Sequence, residues 1–277
     1  MSQSDISEKN SKFWDELCGS HLAKHLGVVD DSAASLKLFD DWFFDIYPYV
    51  EPALHLPDLA GKRVLEIGLG YGSVGQMLAA HTGEYNGLDI AAGPVNMMNR
   101  RMQQEGLNGH AVQGSALENP FPDNHFDMVV ALGCLHHTGN LQQALKECRR
   151  VLKPGGRLVM MVYYAYSYRR FEHQHHETWR YLRRELMGYR GVIGDTDDVA
   201  RAAADTNAAG EAAPHTDWIG HWSLRKLLKR AGFSQQKTWL ENIDQAGPYV
   251  ETPRDHSSLA SKWVKLWGLD IFASATN

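Results

Sequence analysis

Between Arg63 and Tyr164 the apolar positions follow two alternating rhythms. Short runs bounded by turn residues, Arg63–Ile67, Tyr85–Ile90, His110–Gly114, Phe126–Leu132 and Arg157–Tyr164, predict strands. Between them Ser73–Ala80, Gly93–Glu105 and Leu141–Val151 space their apolar residues three and four apart and predict helices. After a break, Ser223–Ala231 predicts a helix closed by Gly232, and Gln236–Glu241 and Leu269–Ser274 predict two more strands flanking a helix over His256–Leu266. Strands alternating with helices imply an α/β fold, a seven-stranded, mostly parallel, doubly wound sheet covered on both faces. Right-handed crossovers bring the loops that follow the strands to one edge, where ligands bind in such sheets.

The flanks depart from this rhythm. Phe13 to Leu56 reads as helical, with Trp14, Leu17, His21 and Leu22 near one face and Leu38, Trp42, Phe43 and Ile46 near another, before Pro48, Pro52 and Pro57 punctuate the chain. Residues 165–221 carry a His-, Arg- and aromatic-rich helix, Arg170–Met187, and an Asp- and Ala-rich stretch, Asp195–Ala213, read as helix plus loop. The expected layout is an N-terminal helical cap over 1–60, a core over 61–164 and 222–277, and an inserted cap over 165–221.

Composition narrows the function classes. A formal charge of −5 argues against broad phosphate neutralisation of a nucleic acid. Arg169, Arg170, Arg180, Arg183 and Arg184 read as a solvated helix face, and His173-x-x-His176-Glu177 as solvated histidines, so no metal is expected. Cys18, Cys134 and Cys148 are odd in number and form no CxxC, which points to a reducing compartment without a structural zinc. The polar start resembles no signal peptide and no apolar run is long enough to span a membrane. A cytoplasmic protein with a small-molecule substrate, without nucleic acid or membrane partners, is expected, with a homodimer left open.

The sharpest local signal is Val64-Leu65-Glu66-Ile67-Gly68-Leu69-Gly70-Tyr71-Gly72, a buried strand running into a turn with glycine at alternate positions and then a helix. Glycine allows positive φ and close backbone approach, and a helix N-terminus offers unpaired N–H groups. Gly70-Tyr71-Gly72-Ser73-Val74-Gly75 also satisfies the GxGxxG of dinucleotide binders, with Asp89 lying 19 residues beyond Gly70. The register is poor for that reading, because the first glycine should follow the strand directly. Glu66 would also oppose a pyrophosphate, whereas it suits a cationic ligand without phosphate.

The Glu66-x-Gly68-x-Gly70-x-Gly72 run resembles motif I of class I, Rossmann-like S-adenosylmethionine-dependent methyltransferases of the small-molecule, type 11 kind. Gly87-Leu88-Asp89-Ile90, Gly114-Ser115-Ala116-Leu117-Glu118-Asn119-Pro120-Phe121, Phe126–Val130 with Leu135-His136-His137-Thr138, and Val151-Leu152-Lys153-Pro154-Gly155-Gly156 resemble further motifs of that family, in order. The resemblance implies S-adenosyl-L-methionine as cofactor, held by Glu66, Gly68, Gly70, Gly72, Asp89, Ile90, Ser115, Ala116, Leu117, Leu132 and Gly133. In that family the acid at Asp89 binds both ribose hydroxyls, and backbone carbonyls at Gly68 and near Gly133 hold the methionine ammonium. Ser115 stands where the family usually has Asp. Glu66 organises the turn. His136 and His137 follow the fourth strand, and either could act as a general base, with His137 preferred. Tyr163, Tyr164, Tyr168, Trp14, Tyr47 and His215 are candidate substrate contacts. The implied reaction moves a methyl group to an O, N or S atom of a small metabolite or natural-product intermediate. An NAD-dependent oxidoreductase and a non-catalytic cofactor-binding subunit are the alternatives.

Overall fold

The computed structural model describes residues 2–15, 23, 25–194, 198–207, 209–242 and 263–277. Seven strands form one sheet in the order β3-β2-β1-β4-β5-β7-β6: β1 Arg63–Ile67, β2 Glu84–Asp89, β3 Gly109–Gln113, β4 Phe126–Leu132, β5 Leu152–Tyr163, β6 Ser234–Glu241 and β7 Asp270–Thr276. Strands β1 to β5 pair in parallel, and β7 enters antiparallel between β5 and β6. The order reverses direction at β1, between β2 and β4. Ligands bind such sheets at that crevice beyond the carboxyl ends of the strands.

The central strands form because they are apolar on both faces. Val64, Leu65, Val129 and Val130 are fully buried, flanked by α4 (Ser73–His81) and α5 (Ala92–Glu105) on one side and α6 (Leu141–Val151) on the other. Helix α6 shows the mechanism plainly. Leu141, Ala144, Leu145, Cys148 and Val151, spaced three and four apart, are its buried face. Burial pushes the Cys148 thiol up to about 12, so it behaves as a small core hydrophobe.

The N-terminal region contributes α1 (Gln3–Phe13), α2 (Ala33–Ile46) and α3 (Val50–Leu54). Helix α1 begins at Gln3, ten residues before the helical pattern expected from Phe13 onward. Its signal is Ser2-x-x-Asp5, which forms a capping box. The predicted face of Leu17, His21 and Leu22, and Cys18, lie outside the described residues, as do 195–197 and most of the predicted helix His256–Leu266; at its end Val264–Trp267 is helical.

One buried ion pair fastens this region to the core. Arg101 on α5, 2% exposed, donates two hydrogen bonds to Asp40 of α2 at 2.8 and 2.9 Å and one to Gln76 of α4, and Ser73 Oγ donates to the same Asp40. Removing one partner of a buried pair strands the other charge. Asp40→Ala is expected to lower stability by about 3 kcal/mol, read as a shift in urea midpoint with unchanged slope.

The predicted helix Arg170–Met187 is two helices, α7 (Tyr168–His173) and α8 (His175–Leu186), broken at Gln174. A short α9 (Asp198–Ala202) and α10 (His221–Ala231) follow. Glu185 of α8 accepts from Tyr166 Oη, Ser223 N–H and Ser223 Oγ, joining the region beyond β5 to the first turn of α10. The arginine cluster is not uniformly solvated: Arg170 is 4% exposed, because α7 turns it inward against Trp218.

Candidate active site

The carboxyl ends of β1, β2 and β4 open onto a cavity of about 270 Å³. Its floor is the glycine turn after β1. Gly68, Gly70 and Gly72 all have positive φ, and Gly72 caps α4 in the left-handed conformation. A Cβ on Gly68 would stand 2.4 Å from Cys134 Cβ, so only glycine lets the β1 and β4 loops approach this closely. A Cβ on Gly70 would meet nothing within 4 Å, because that face opens into the cavity. Gly75, the last glycine of the GxGxxG match, serves a different purpose. A Cβ there would meet Tyr85 Oη at 2.5 Å and Glu66 Oε2 at 2.6 Å, so it makes room beneath α4 for those two groups.

Two carboxylates define the electrostatics. Asp89 ends β2 and accepts the Leu69 N–H at Oδ2 (2.8 Å) and the Ala91 N–H at Oδ1 (2.9 Å). Each oxygen keeps a lone-pair direction for a further donor, which fits a vicinal diol. Burial raises the Asp89 carboxyl above its ordinary range, against the pull of these backbone donors. Glu66 lies on β1, 3% exposed, and accepts from Tyr85 Oη at 2.5 Å. Burial pushes its carboxyl up to about 8, with Asp89 adding to the rise. A cation seated beside the two would oppose both shifts.

The sign of the resulting pH dependence is definite. A carboxyl whose folded pKa exceeds its unfolded value holds its proton more tightly when folded, so its favourable contribution is complete below the unfolded value near 4.5 and is lost as pH rises through about 8. Stability of the ligand-free protein should fall by up to roughly 4 kcal/mol between pH 5 and 9, and Glu66→Gln, which can still accept from Tyr85, should flatten most of that slope in urea titrations at successive pH values.

Around the floor stand Ile90, Ser115, Ala116, Leu117, Leu132, Gly133 and Leu135. Ser115 Oγ accepts the Leu117 N–H at 3.1 Å, so part of its acceptor capacity is spent on its own turn. Cys134 donates its thiol proton to the Ile67 carbonyl, and burial raises it well above the ordinary thiol range, so it stays protonated. Helix α1, through Ser7 and Asn10, and its C-cap Trp14 form one wall; Asn10 Nδ2 donates to the His137 carbonyl at 2.7 Å. Phe39, Phe43 and Tyr71 add an aromatic side.

The two histidines part company here. His136 is fully buried, its ring nitrogens have no hydrogen-bond partner among the described residues, and it packs against His137 and Tyr163; burial holds it neutral, well below its ordinary pKa. His137 lines the cavity. Its Nδ1–H donates to the His215 carbonyl at 2.7 Å, which fixes Nε2 as the nitrogen with the free lone pair. Nε2 stands 3.6 Å from Asp205 Oδ2, and Asp205 in turn accepts from Tyr163 Oη at 3.0 Å. Burial raises the Asp205 carboxyl, offset by His137 and Tyr163. Asp205 was missed in the sequence because nothing in the alanine-rich stretch around it marks an acid aimed at a distant histidine.

Of the candidate substrate contacts, Trp14 lines the cavity and packs against His137. Tyr163 sits behind His136 and His137. Tyr164 is buried against Tyr166 and His221, Tyr168 opens α7, and Tyr47 packs on Phe43 and Tyr49; none of these borders the cavity. His215 holds His137 from behind through its carbonyl. His173, His175 and His176 are exposed, and no group of three metal-ligating side chains is brought together among the described residues. No helix among those residues is long and apolar enough to cross a membrane.

Residues 65–160 match the family model of the methyltransferase domain. The chain is 34% identical over 149 residues to the 27-O-demethylrifamycin SV methyltransferase of Amycolatopsis mediterranei, a match covering 53% of this chain and 52% of that one. It is 41% identical over 101 residues to the fatty-acid O-methyltransferase of Mycolicibacterium smegmatis, covering 36% of each. The chain thus spans about half the length, or less, of these curated relatives. An S-adenosylmethionine-dependent methyltransferase structure from Methanosarcina mazei superposes with a TM-score of 0.54 at 20% identity, over 82% of this chain and 97% of that one, which establishes the shared fold. Residues 65–160 are thus similar to a methyltransferase domain, and they sit in a Rossmann-like seven-stranded sheet whose fold the Methanosarcina structure shares.

Proposed function

We propose that the whole chain is a methyltransferase that moves the methyl group of S-adenosyl-L-methionine to an O, N or S atom of a small molecule. The observation that carries this reading is the pairing of Glu66 and Asp89 with a glycine cradle at the sheet's carboxyl edge. A phosphate-free cation with a ribose satisfies that site and draws the Glu66 carboxyl back toward its charged form, whereas a pyrophosphate would hold that carboxyl protonated. The strand order supports the same choice over an NAD-dependent oxidoreductase, since β7 runs antiparallel between β5 and β6.

Bound S-adenosylmethionine supplies a methyl group already activated on a sulfonium. The chain's own residues then bind, align and exclude water. Asp89 takes the ribose hydroxyls, the Gly68 and Gly133 backbone takes the amino-acid end, and Ile90, Ala116 and Leu117 enclose the base. Residues 1–60 and 165–221 act as caps over the core, with α1 and Trp14 closing the acceptor side. His137 Nε2, buried against Asp205 in the ligand-free protein, accepts a proton from an acceptor hydroxyl, amine or thiol brought beside it, with Nδ1 locked on the His215 carbonyl and Asp205 steadying the imidazolium.

Isothermal titration with S-adenosylhomocysteine and with NAD in parallel tests the proposal; tight binding of NAD but not of S-adenosylhomocysteine would remove it. His137→Ala should leave S-adenosylhomocysteine affinity within threefold yet lower kcat by about 10² to 10⁴ for an acceptor that must lose a proton. An unchanged kcat would show that no base acts at this position.

A further inference from the structure

A second cavity, about 70 Å³, lies between the end of β5 and the helices that follow it. Tyr163, Ser167, Arg170, Ala203, Trp218 and Asp270 are among the residues that line it. Arg170 is 4% exposed, and none of its three guanidinium nitrogens has a hydrogen-bond partner among the described residues. The nearest carboxylate, Glu177, stands 3.8 Å from Nη2, too far for a hydrogen bond, and the guanidinium face lies 4.6 Å from the Trp218 ring.

The contrast with Arg101 is instructive. That guanidinium is equally buried but spends its fork on both Asp40 oxygens and on Gln76. A buried guanidinium whose donors are all unspent is costly, and a cavity beside it offers the place where an acceptor belongs. Burial lowers the Arg170 pKa to about 10, so it remains a cation at neutral pH. Ser167, the N-cap residue of α7, makes no side-chain capping bond and lines the same cavity, adding a hydroxyl donor.

We propose that this cavity is a binding site for the carboxylate of a small organic acid, gripped by the fork of Arg170 with Ser167 beside it. A planar guanidinium matches a carboxylate bidentately. Asp270 borders the same space and accepts from Asn242 Nδ2 at 2.9 Å, which disfavours a dianionic phosphate and leaves a monoanion as the better fit. The carboxylate belongs either to the methyl acceptor or to a separate ligand. Tyr163, shared with the Asp205–His137 contact, couples this site to the first in either case. The site does not depend on the methyl-transfer reading, because its probe contains no cofactor.

Thermal unfolding of the full chain in acetate and in acetamide, at ionic strength matched with sodium chloride, tests it. Acetate at tens of millimolar should raise Tm by about 2 °C and acetamide should not. Arg170→Gln should abolish the response and Arg170→Lys, which keeps the charge without the fork, should retain less than half of it. Both variants should keep the Tm rise given by S-adenosylhomocysteine, which certifies that they are folded and reports separately on the cofactor site. Equal responses to acetate and acetamide, an equal response in Arg170→Gln, or a larger response to inorganic phosphate each overturn the proposal. During turnover, acetate that raises the acceptor KM at constant kcat makes the carboxylate the acceptor's own, and acetate that changes kcat at constant KM makes it a separate ligand's.

Discussion

Asp89→Asn should weaken S-adenosylhomocysteine binding by about 10² to 10³ in a calorimetric titration, although it changes neither the size nor the shape of the side chain. Both carboxylate oxygens are acceptors for backbone N–H groups, from Leu69 at 2.8 Å and Ala91 at 2.9 Å. An amide has one acceptor oxygen. Its NH₂ must therefore face one of those two N–H donors, leaving that donor unsatisfied in a buried turn, at a cost of about 1–3 kcal/mol. The same NH₂ cannot accept from a ribose hydroxyl, which removes a charge-assisted bond worth about 1.5–3 kcal/mol. The first loss falls on the stability of the turn, in the free and bound protein alike; the second falls on binding, and with the lost charge and the disturbed turn it accounts for the expected range. Asp89→Glu retains the charge but displaces it by a methylene group and should recover little. A loss below threefold in Asp89→Asn would mean that this carboxylate does not hold the ligand.

Gly68→Ala should abolish measurable S-adenosylhomocysteine binding and lower stability by roughly 2–4 kcal/mol. Two costs combine here. The residue sits at φ +80°, where an L side chain is strained, and the new Cβ would lie 2.4 Å from Cys134 Cβ and 2.8 Å from its Sγ. The backbone of the turn must shift, and that turn is the cavity floor. Cys134→Gly in the same chain removes the overlap but not the φ strain, so the double variant should regain part of the stability and part of the binding. A double variant no better than Gly68→Ala would show that backbone strain alone dominates. Gly70→Ala makes a useful comparison. It has no neighbour within 4 Å, so its cost is the φ +50° strain together with whatever the methyl group displaces from the cavity.

Much of this architecture was legible residue by residue. The positions of Asp89 and Gly68 follow from a strand–glycine–helix sequence whose physics is local: glycine where φ is positive, an acid at the end of the next strand, apolar runs where a strand is covered on both faces. The strands Arg63–Ile67 and Phe126–Leu132 and the helix Leu141–Val151 have the bounds expected from periodicity. Where the expectation strayed, the cause was a local rule that a neighbour overrode. Strand β5 begins at Leu152 rather than Arg157, because Leu152 pairs with Phe126 before the register shifts around Pro154-Gly155-Gly156. The polar segment Gln3–Phe13 is helical, held by its capping box and by contacts of Gln3 and Asn10 to the loop after β4.

Sequence alone therefore marked the strands and helices of the core and the acid and glycines in the turns after β1 and β2, since each of these depends on residues within a few positions of one another. Tertiary packing alone decided which of two adjacent histidines reaches the cavity, that Asp205 stands beside it, and that one arginine of a charged cluster is turned inward with its donors unspent. Those outcomes depend on which distant segments meet. Burial and pairing arise only when the chain has closed on itself, so no periodicity or motif encodes them.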